Sequence, residues 1–396
     1  MKSGQKRVVI ENVSPEINCG EHAAKRTVDQ IFTVKADLLA DGHDVINAVV
    51  KYKSPKSKKW QEARMYAKEN DQWTGSFVVS EQGAYLYTIE AWIDYGLTWQ
   101  HNIERKIADG QHVNVELLDG IPLLSQIAEK CSDKTVLDYL LHLTTLFKNK
   151  QSYSQAIEEA QSEKLHHILL AHSVPMFSTT YGKNLPLYVD RKKALFSTWY
   201  EFFPRSTSQK EGQHGTFKDC LKVLPYVAQQ GFDVIYFPPI HPIGTAHRKG
   251  KNNSVTAKPD DVGVPWAIGN TTGGHKDILP ELGSLKDFKK FVEEAKKLNI
   301  EIALDFALQC SPDHPYVKEH PKWFKWRADG SVQYAENPPK KYQDIYPIYF
   351  ESEEWEEMWE EFISIVLHWN ALGIKIFRVD NPHTKPFGFW EYLIAE

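Results

Sequence analysis

Over the first hundred residues, apolar and polar positions alternate with a period of two. Phe32, Val34, Ala36 and Leu38 share one face, as do Ala48, Val50 and Tyr52, and then Tyr85, Tyr87, Ile89, Ala91 and Ile93. Runs of this kind predict half-buried strands, because successive side chains point to opposite faces of a sheet. Asp41-Gly42 and Gln82-Gly83 supply turns between the runs. The pattern predicts an immunoglobulin-like β-sandwich over residues 1–105.

From 106 to 185 the period lengthens. Val136, Leu140, Leu143 and Phe147 form a helical stripe that Leu137 widens, with Ser132 ahead of it as a cap. Neither Gly nor Pro occurs between 123 and 173. A helical bundle is expected here, either as a dimer interface or as a spacer packed on its neighbours.

From residue 190 to 396, short apolar runs alternate with amphipathic stretches, the signature of parallel βα units. Strands are predicted at Ala194–Phe202, Val234–Phe237, Ile300–Asp305 and Ile374–Asp380. One helix should begin at Ser284, with Asp287 completing a capping box and Lys296 and Lys297 in its last turn. Another should start at Ser352 and stop at Gly373. Pro225 should kink or delay the helix patterned from Phe217 to Ala228. A closed (β/α)8 TIM barrel needs eight strands, so these units predict the first half of one. The long connections 239–283 and 307–350 fall after the second and third strands, on the side where barrels carry their active sites.

Composition narrows the classes. Apolar residues are 42% and charged residues 25%, ordinary for a globular chain, and the net charge of −5 gives no reason to expect nucleic acid or an anionic membrane as partner. The 12 Trp, 18 Tyr and 19 Phe lean toward carbohydrate, although large aromatic cores account for most of them. Cys19, Cys131, Cys220 and Cys310 have no paired spacing, so neither a metal site nor a disulfide framework is expected. The N-terminus lacks an apolar signal region and no run of 18 apolar residues occurs, which predicts a cytoplasmic location.

The chemistry concentrates at two strand ends. In the run from Gly373 to Asp380, Ile376, Arg378 and Asp380 share a face, so the guanidinium and carboxylate should both reach the mouth of the barrel. A carboxylate there suits a glycosyl nucleophile, kept ionised and aligned by its neighbour. An Arg–Asp pair that merely caps the strand fits the same spacing. Asp305 repeats the arrangement on the preceding strand, either in the active site or as a structural partner of Arg378.

The stretches Asp305–Pro315 and Phe377–Pro382 resemble the first and second signature regions of the α-amylase family. Gln309 and Cys310 replace the usual Asn and His, and Thr384 stands where that family usually has His, with His383 one position earlier. These departures argue against an ordinary α-amylase and its calcium site. They are similar instead to one branch, the α-1,4-glucan:maltose-1-phosphate maltosyltransferases. That resemblance continues through His241–Gly244, His247–Asn253, Pro265–Gly269 and Glu336–Ile345.

The resemblance implies that Asp380 is the nucleophile, that Arg378 supports it and that Asp305 is an active-site carboxylate. It implies sugar and phosphate contacts from Lys249, Asn253, Gln309, Asn337, Lys340, Tyr342 and Asn381, with no metal or other cofactor. The implied substrates are α-maltose-1-phosphate and α-1,4-glucan, and the implied assembly is a homodimer. A retaining mechanism also needs a second carboxyl about 5 Å from the nucleophile. By the resemblance it follows the fifth barrel strand, which residues 190–396 do not reach, and Glu391 and Glu396 on the helix after Asp380 are not substitutes. Other retaining α-glucan hydrolases or phosphorylases, and a non-catalytic glucan-binding or dimerising fragment, remain the competing readings.

Overall fold

The computed structural model describes residues 4–396, which divide into two compact units, one up to Phe196 and one from Ser197 onward.

The first unit is built on strands β1 (Val8–Ser14), β2 (Ala24–Thr27), β3 (Ile31–Ala40), β4 (Ile46–Lys53), β5 (Gln61–Ala67), β6 (Gln72–Val78) and β7 (Gly83–Ile93). Phe32, Val34, Ala36 and Leu38 are buried as their alternation requires, with Phe32 opposite Phe77 and Ala36 opposite Trp73. β5 changes partners along its length: residues 61–64 pair with β4, and 65–67 with β6. One strand thus joins two hydrogen-bonded layers around a common core.

Helices α1 (Tyr95–Ala108), α2 (Asn114–Lys130), α3 (Lys134–Lys148), α4 (Tyr153–Ala160) and α5 (Glu163–Ala171) follow. Leu140, Leu143 and Phe147 bury the expected stripe. Asp133 rather than Ser132 caps α3, its Oδ1 accepting from the Thr135 and Val136 N–H groups at 2.8 and 3.3 Å. The chain then returns to the sheet through β8 (Thr179–Thr180) and β9 (Leu185–Asp190), and β9 lies between β7 and β2, parallel to β2. The sheet is therefore not confined to residues 1–105, and the helices are an insertion before its last strands. Leu185, Leu187 and Val189 alternate as core residues, but Pro186 between them masks the strand at sequence level. A short helix, α6 (Lys192–Leu195), ends the unit.

In the second unit β10 (Trp199–Glu201), β11 (Val234–Phe237), β12 (Glu301–Phe306) and β17 (Ile376–Val379) form a parallel sheet in that order. The strand expected at Ala194–Phe202 shrinks to β10, because residues 194–195 belong to α6 and β10 is set by Thr198, whose backbone N–H donates to Asp233 Oδ2 at 2.9 Å. Helices α7 (Phe217–Gln229), α8 (Leu285–Lys297) and α10 (Trp355–Ala371) connect the strands. Thr216 and Asp219 close a capping box, so α7 starts on time and accommodates Pro225 internally. The Ser284–Asp287 box forms as expected. α10 begins at Trp355 instead of Ser352, whose hydroxyl accepts from the Glu354 N–H at 3.1 Å. Gly373, at φ +96°, ends α10 in the left-handed region that glycine tolerates.

Phe217, Leu224, Phe237, Phe288, Phe291 and Trp369 fill the layer between sheet and helices. Because the strands are parallel, their C-terminal ends share one rim. On that rim lie β13 (Gln309–Cys310), α9 (Pro315–Glu319), β14 (Ala335–Asn337), β15 (Lys340–Tyr342) and β16 (Tyr346–Pro347), followed by α11 (Phe387–Ala395) after β17. Among the described residues no helix is long and apolar enough to cross a membrane.

Candidate functional site

Asp305 near the end of β12 lies opposite Arg378 of β17, and Asp380 follows one residue beyond that strand. The register brings three charged groups into direct contact. Arg378 Nη1 donates to Asp305 Oδ2 at 3.0 Å and to Asp380 Oδ1 at 2.8 Å. The Tyr236 hydroxyl on β11 donates to Asp305 Oδ2 at 2.5 Å. Burial pushes the Asp305 carboxyl up to about 6, although Tyr236 and Arg378 pull it down; Asp380 pushes it further up. Arg378 is held above its usual range: partial burial works against its charge, and Asp380, Asp305 and Tyr236 outweigh that.

Asp380 is fixed from several sides. Its backbone N–H donates to Phe306 O at 3.0 Å, and its Oδ2 accepts from Asn381 Nδ2 at 3.0 Å. Asn381 itself is left-handed, at φ +47° and ψ +55°.

Beside Asp380 opens a cleft of about 720 Å³. Asn253, Gln309, Asn337, Tyr342, Asp380 and Asn381 all line it, drawn from five separate stretches of chain. Gln309 is oriented by donating from Nε2 to Trp266 O at 3.1 Å. Lys249 and Lys340 line an adjoining pocket of about 430 Å³ that shares Asn253 and Tyr342 with the cleft. Lys249 is buried rather than solvated, with Asp344 Oδ1 at 3.9 Å, whereas Lys340 is exposed on the β14–β15 hairpin. Burial raises the Asp344 carboxyl, and Lys249 opposes this. Asp305 and Arg378 stand behind Asp380 and are not part of the cleft lining.

Sequence reasoning did not single out Tyr236, Trp266, Asp344 or Lys385. Trp266 and Asp344 lie inside the quoted motif runs, and Tyr236 carries the one hydroxyl in the otherwise apolar strand Val234–Phe237. Nothing in the local pattern marks Lys385.

A second polar cluster could suggest a metal. His275, Cys310 and His314 are buried with candidate ligand atoms within 4.8 Å of one another. The hydrogen bonds argue otherwise. The Tyr316 N–H donates to His314 Nδ1 at 3.0 Å, which leaves neutral His314 protonated on Nε2. That Nε2–H donates to His275 Nδ1 at 3.1 Å, and His275 Nε2–H donates to Ala307 O at 2.9 Å. Both lone pairs a metal would need are already taken. Burial lowers His275 to about 4 and His241 to about 3, and lowers His314 as well, so the rings are neutral.

Residues 6–191 match the family described as "Alpha-1,4-glucan:maltose-1-phosphate maltosyltransferase, domain N/S". A curated α-1,4-glucan:maltose-1-phosphate maltosyltransferase of Chlorobaculum tepidum is 48% identical over 392 residues, covering 99% of this chain and 58% of that protein. The like-named protein of Methylacidiphilum infernorum is 46% identical over 393 residues, covering 99% and 58%. That of Myxococcus xanthus is 47% identical over 393 residues, covering 98% and 59%. The chain thus spans a little under three fifths of the length of these relatives. Among solved structures, an alpha-amylase from Lactobacillus plantarum matches at 28% identity over 50% of this chain and 42% of that one, with a TM-score of 0.42.

Proposed function

We propose that this chain, which belongs to the α-1,4-glucan:maltose-1-phosphate maltosyltransferase family, carries the donor half of a retaining maltosyl-transfer site, on the first four strands of an α-amylase-type (β/α)8 barrel. The observation that carries the reading is the clamp on Asp380: Arg378 on one carboxylate oxygen, Asn381 on the other, beside an amide-lined cleft.

In this mechanism the Asp380 carboxylate attacks the anomeric carbon of α-maltose-1-phosphate. The bond to the phosphate oxygen breaks, phosphate leaves, and a β-maltosyl-enzyme remains. The 4-hydroxyl at the non-reducing end of an α-1,4-glucan then displaces Asp380, with net retention. Lys249 and Lys340 face the departing charge, while Asn253, Gln309, Asn337, Tyr342 and Asn381 orient sugar and phosphate. Asp305 aligns Arg378. It is a poor candidate for the general acid/base, since its Oδ2 is occupied by Tyr236 and Arg378 and its side chain is fully buried.

The same reading assigns homodimer contacts to the helices of the first unit, where Val115, Leu118 and Leu141 are exposed. Sedimentation velocity tests this: charged substitutions at all three should yield monomer.

The chemistry is tested by incubating the chain with α-maltosyl fluoride. A maltosyl adduct mapping to Asp380 by mass spectrometry is expected, with slow turnover, because phosphate and fluoride depart with little acid assistance, whereas an attacking sugar hydroxyl needs a general base to take its proton. Absence of any adduct, together with no binding of α-maltose-1-phosphate, would overturn the reading. Phosphate release that requires a glucan acceptor separates transfer from hydrolysis.

A further inference from the structure

The turn after β17 contains a cation that the proposed chemistry leaves unassigned. Lys385 Nζ donates to Thr384 Oγ1 at 2.9 Å, to Asn381 O at 3.2 Å and to Asp380 O at 3.4 Å. An ammonium has three N–H donors, and all three are directed at the chain's own turn. Burial lowers the lysine from its usual range, and Asp380 partly restores it. Thr384 is drawn into the same knot, its hydroxyl donating to Asn381 O at 2.8 Å. A third carbonyl of the turn, Pro382 O, accepts from Trp390 Nε1 at 3.0 Å.

What this arrangement holds is left-handed backbone, uncommon outside glycine although asparagine tolerates it better than most residues. Asn381 sits in the left-handed region, and in that conformation its amide folds back onto the Asp380 carboxylate. Asn381 O also accepts from the Thr384 backbone N–H at 3.2 Å, but that donor does not reach Asp380 O. The ammonium reaches both carbonyls from inside the turn.

We propose that Lys385 is a positioning residue: enclosed by the turn that follows β17, its ammonium locks Asn381 in the left-handed conformation that keeps the Asn381 amide on Asp380. Lys385 also lines the cleft, but its ammonium is turned onto the turn's own oxygens, and it acts through Asn381. Thr384 is the second part of the lock, which gives the position that departs from the α-amylase pattern a use within the turn. The catalytic consequence rests on the reading of Asp380 as nucleophile; the conformational one does not.

Two measurements on the full chain separate these. Amide hydrogen exchange across residues 380–390 reads the lock directly. Lys385→Met should accelerate exchange there on the order of tenfold or more, Thr384→Val less, and Lys385→Arg should restore much of the protection. Unchanged exchange in Lys385→Met overturns the proposal whether or not the chain has activity. The second measurement is the rate at which α-maltosyl fluoride labels Asp380, alongside the Kd for α-maltose-1-phosphate. Lys385→Met should slow labelling by roughly 10- to 100-fold, the scale of a misplaced reacting group, with Kd little changed. A weakened Kd with an unchanged labelling rate would make Lys385 a phosphate ligand and also overturn the proposal. If the parent chain neither labels nor binds, the maltosyl-transfer reading fails, and hydrogen exchange still decides the role of Lys385.

Discussion

Two buried polar clusters lie two residues apart where β12 ends, and they are built on opposite terms. At Ala307 the chain accepts from a row of neutral imidazoles in which His314 and His275 pass hydrogen bonds in one direction. At Asp305 it holds a carboxyl whose Oδ2 accepts from both Tyr236 and Arg378, beside a guanidinium shared between two acids. The first cluster has settled its hydrogen bonds without charge. The second keeps charge in a place where burial opposes it. Buried polar groups are normally satisfied, and a buried carboxyl with a perturbed pKa beside specific charge partners is a candidate for function. In the proposed reading, the contrast separates a structural cluster from a chemical one more sharply than residue type does, since His and Cys look more like a metal site than Arg and Asp look like a nucleophile.

The largest effect should come from removing the shared guanidinium. Arg378→Met leaves Asp305 and Asp380 without their common donor. Labelling of Asp380 by α-maltosyl fluoride should fall by about 10²- to 10³-fold, in the range found when a preorganised donor is removed from an active site. The corresponding substitution in the other cluster should behave in the opposite way. His314→Ala is expected to cost about 2–4 kcal/mol in urea unfolding, by cavity formation and the loss of partners for Tyr316 N–H and His275. It should leave the labelling rate of the folded fraction nearly unchanged. The glycines around that ring report the same fit: a Cβ on Gly269, which is also left-handed, would lie 2.1 Å from His314 Cδ2, so Gly269→Ala should destabilise comparably. If Arg378→Met cost only stability, or His314→Ala only rate, the two assignments would be exchanged.

Acid distinguishes the clusters next. The folded-state pKa values of His241, His275 and His314 are depressed, so below the ordinary histidine range near 6.5 the unfolded chain takes up protons that the folded chain refuses. Stability is therefore fully present above that value and falls as the pH drops toward about 4, at a limiting slope of about 1.4 kcal/mol per pH unit for each histidine. Asp305 runs the other way, because its folded pKa is raised to about 6, and the folded chain binds its proton first. The raised carboxyl of Asp344 acts in the same direction as Asp305, but three histidines oppose these two groups, so urea midpoints between pH 6.5 and 4.5 should decrease with falling pH. Replacing His241 with Phe should flatten the slope.

How much of this was legible beforehand depends on the range of the interaction. Local signals did well. The alternation at Phe32–Leu38 and the Ser284–Asp287 box both concern residues within a few positions of each other, and both formed. The pairing of Arg378 with Asp380 also followed from the two-residue period of a strand. What failed was non-local or at an end. β9 belongs to a sheet whose neighbouring strand β2 lies some 160 residues earlier, and its own Pro186 argued against it. Ser132 lost its cap to Asp133 one position on, and α10 starts three residues after Ser352 without a side-chain cap, both within the ordinary slippage of helix ends. In the site, the family motifs led to six residues of one cleft. Lys385 was invisible because two of its three partners are backbone carbonyls, which every sequence has.

The smallest effect is expected where the two kinds of cluster meet in one residue. Tyr236 is a buried hydroxyl like those of a structural network, yet it donates to the charged cluster. A hydrogen bond to a buried charge is ordinarily worth about 1.5–3 kcal/mol. Tyr236→Phe should cost less, because Asp305 has a way out. With its pKa already near 6, the carboxyl can take up a proton at pH 7 for about 1.4 kcal/mol, the free energy of one pH unit. That bounds the penalty: once keeping the charge without Tyr236 becomes dearer than this, the proton binds. The substitution should therefore lower stability by roughly 1 kcal/mol at pH 7, and by less at pH 5.5, where Asp305 is already largely protonated. The labelling rate should become more sensitive to pH between 6 and 8, since a neutral Asp305 no longer holds Arg378 toward Asp380. A cost of 3 kcal/mol that is independent of pH would mean that Asp305 cannot protonate in place, and that the charge on this cluster is as fixed as the neutrality of the other.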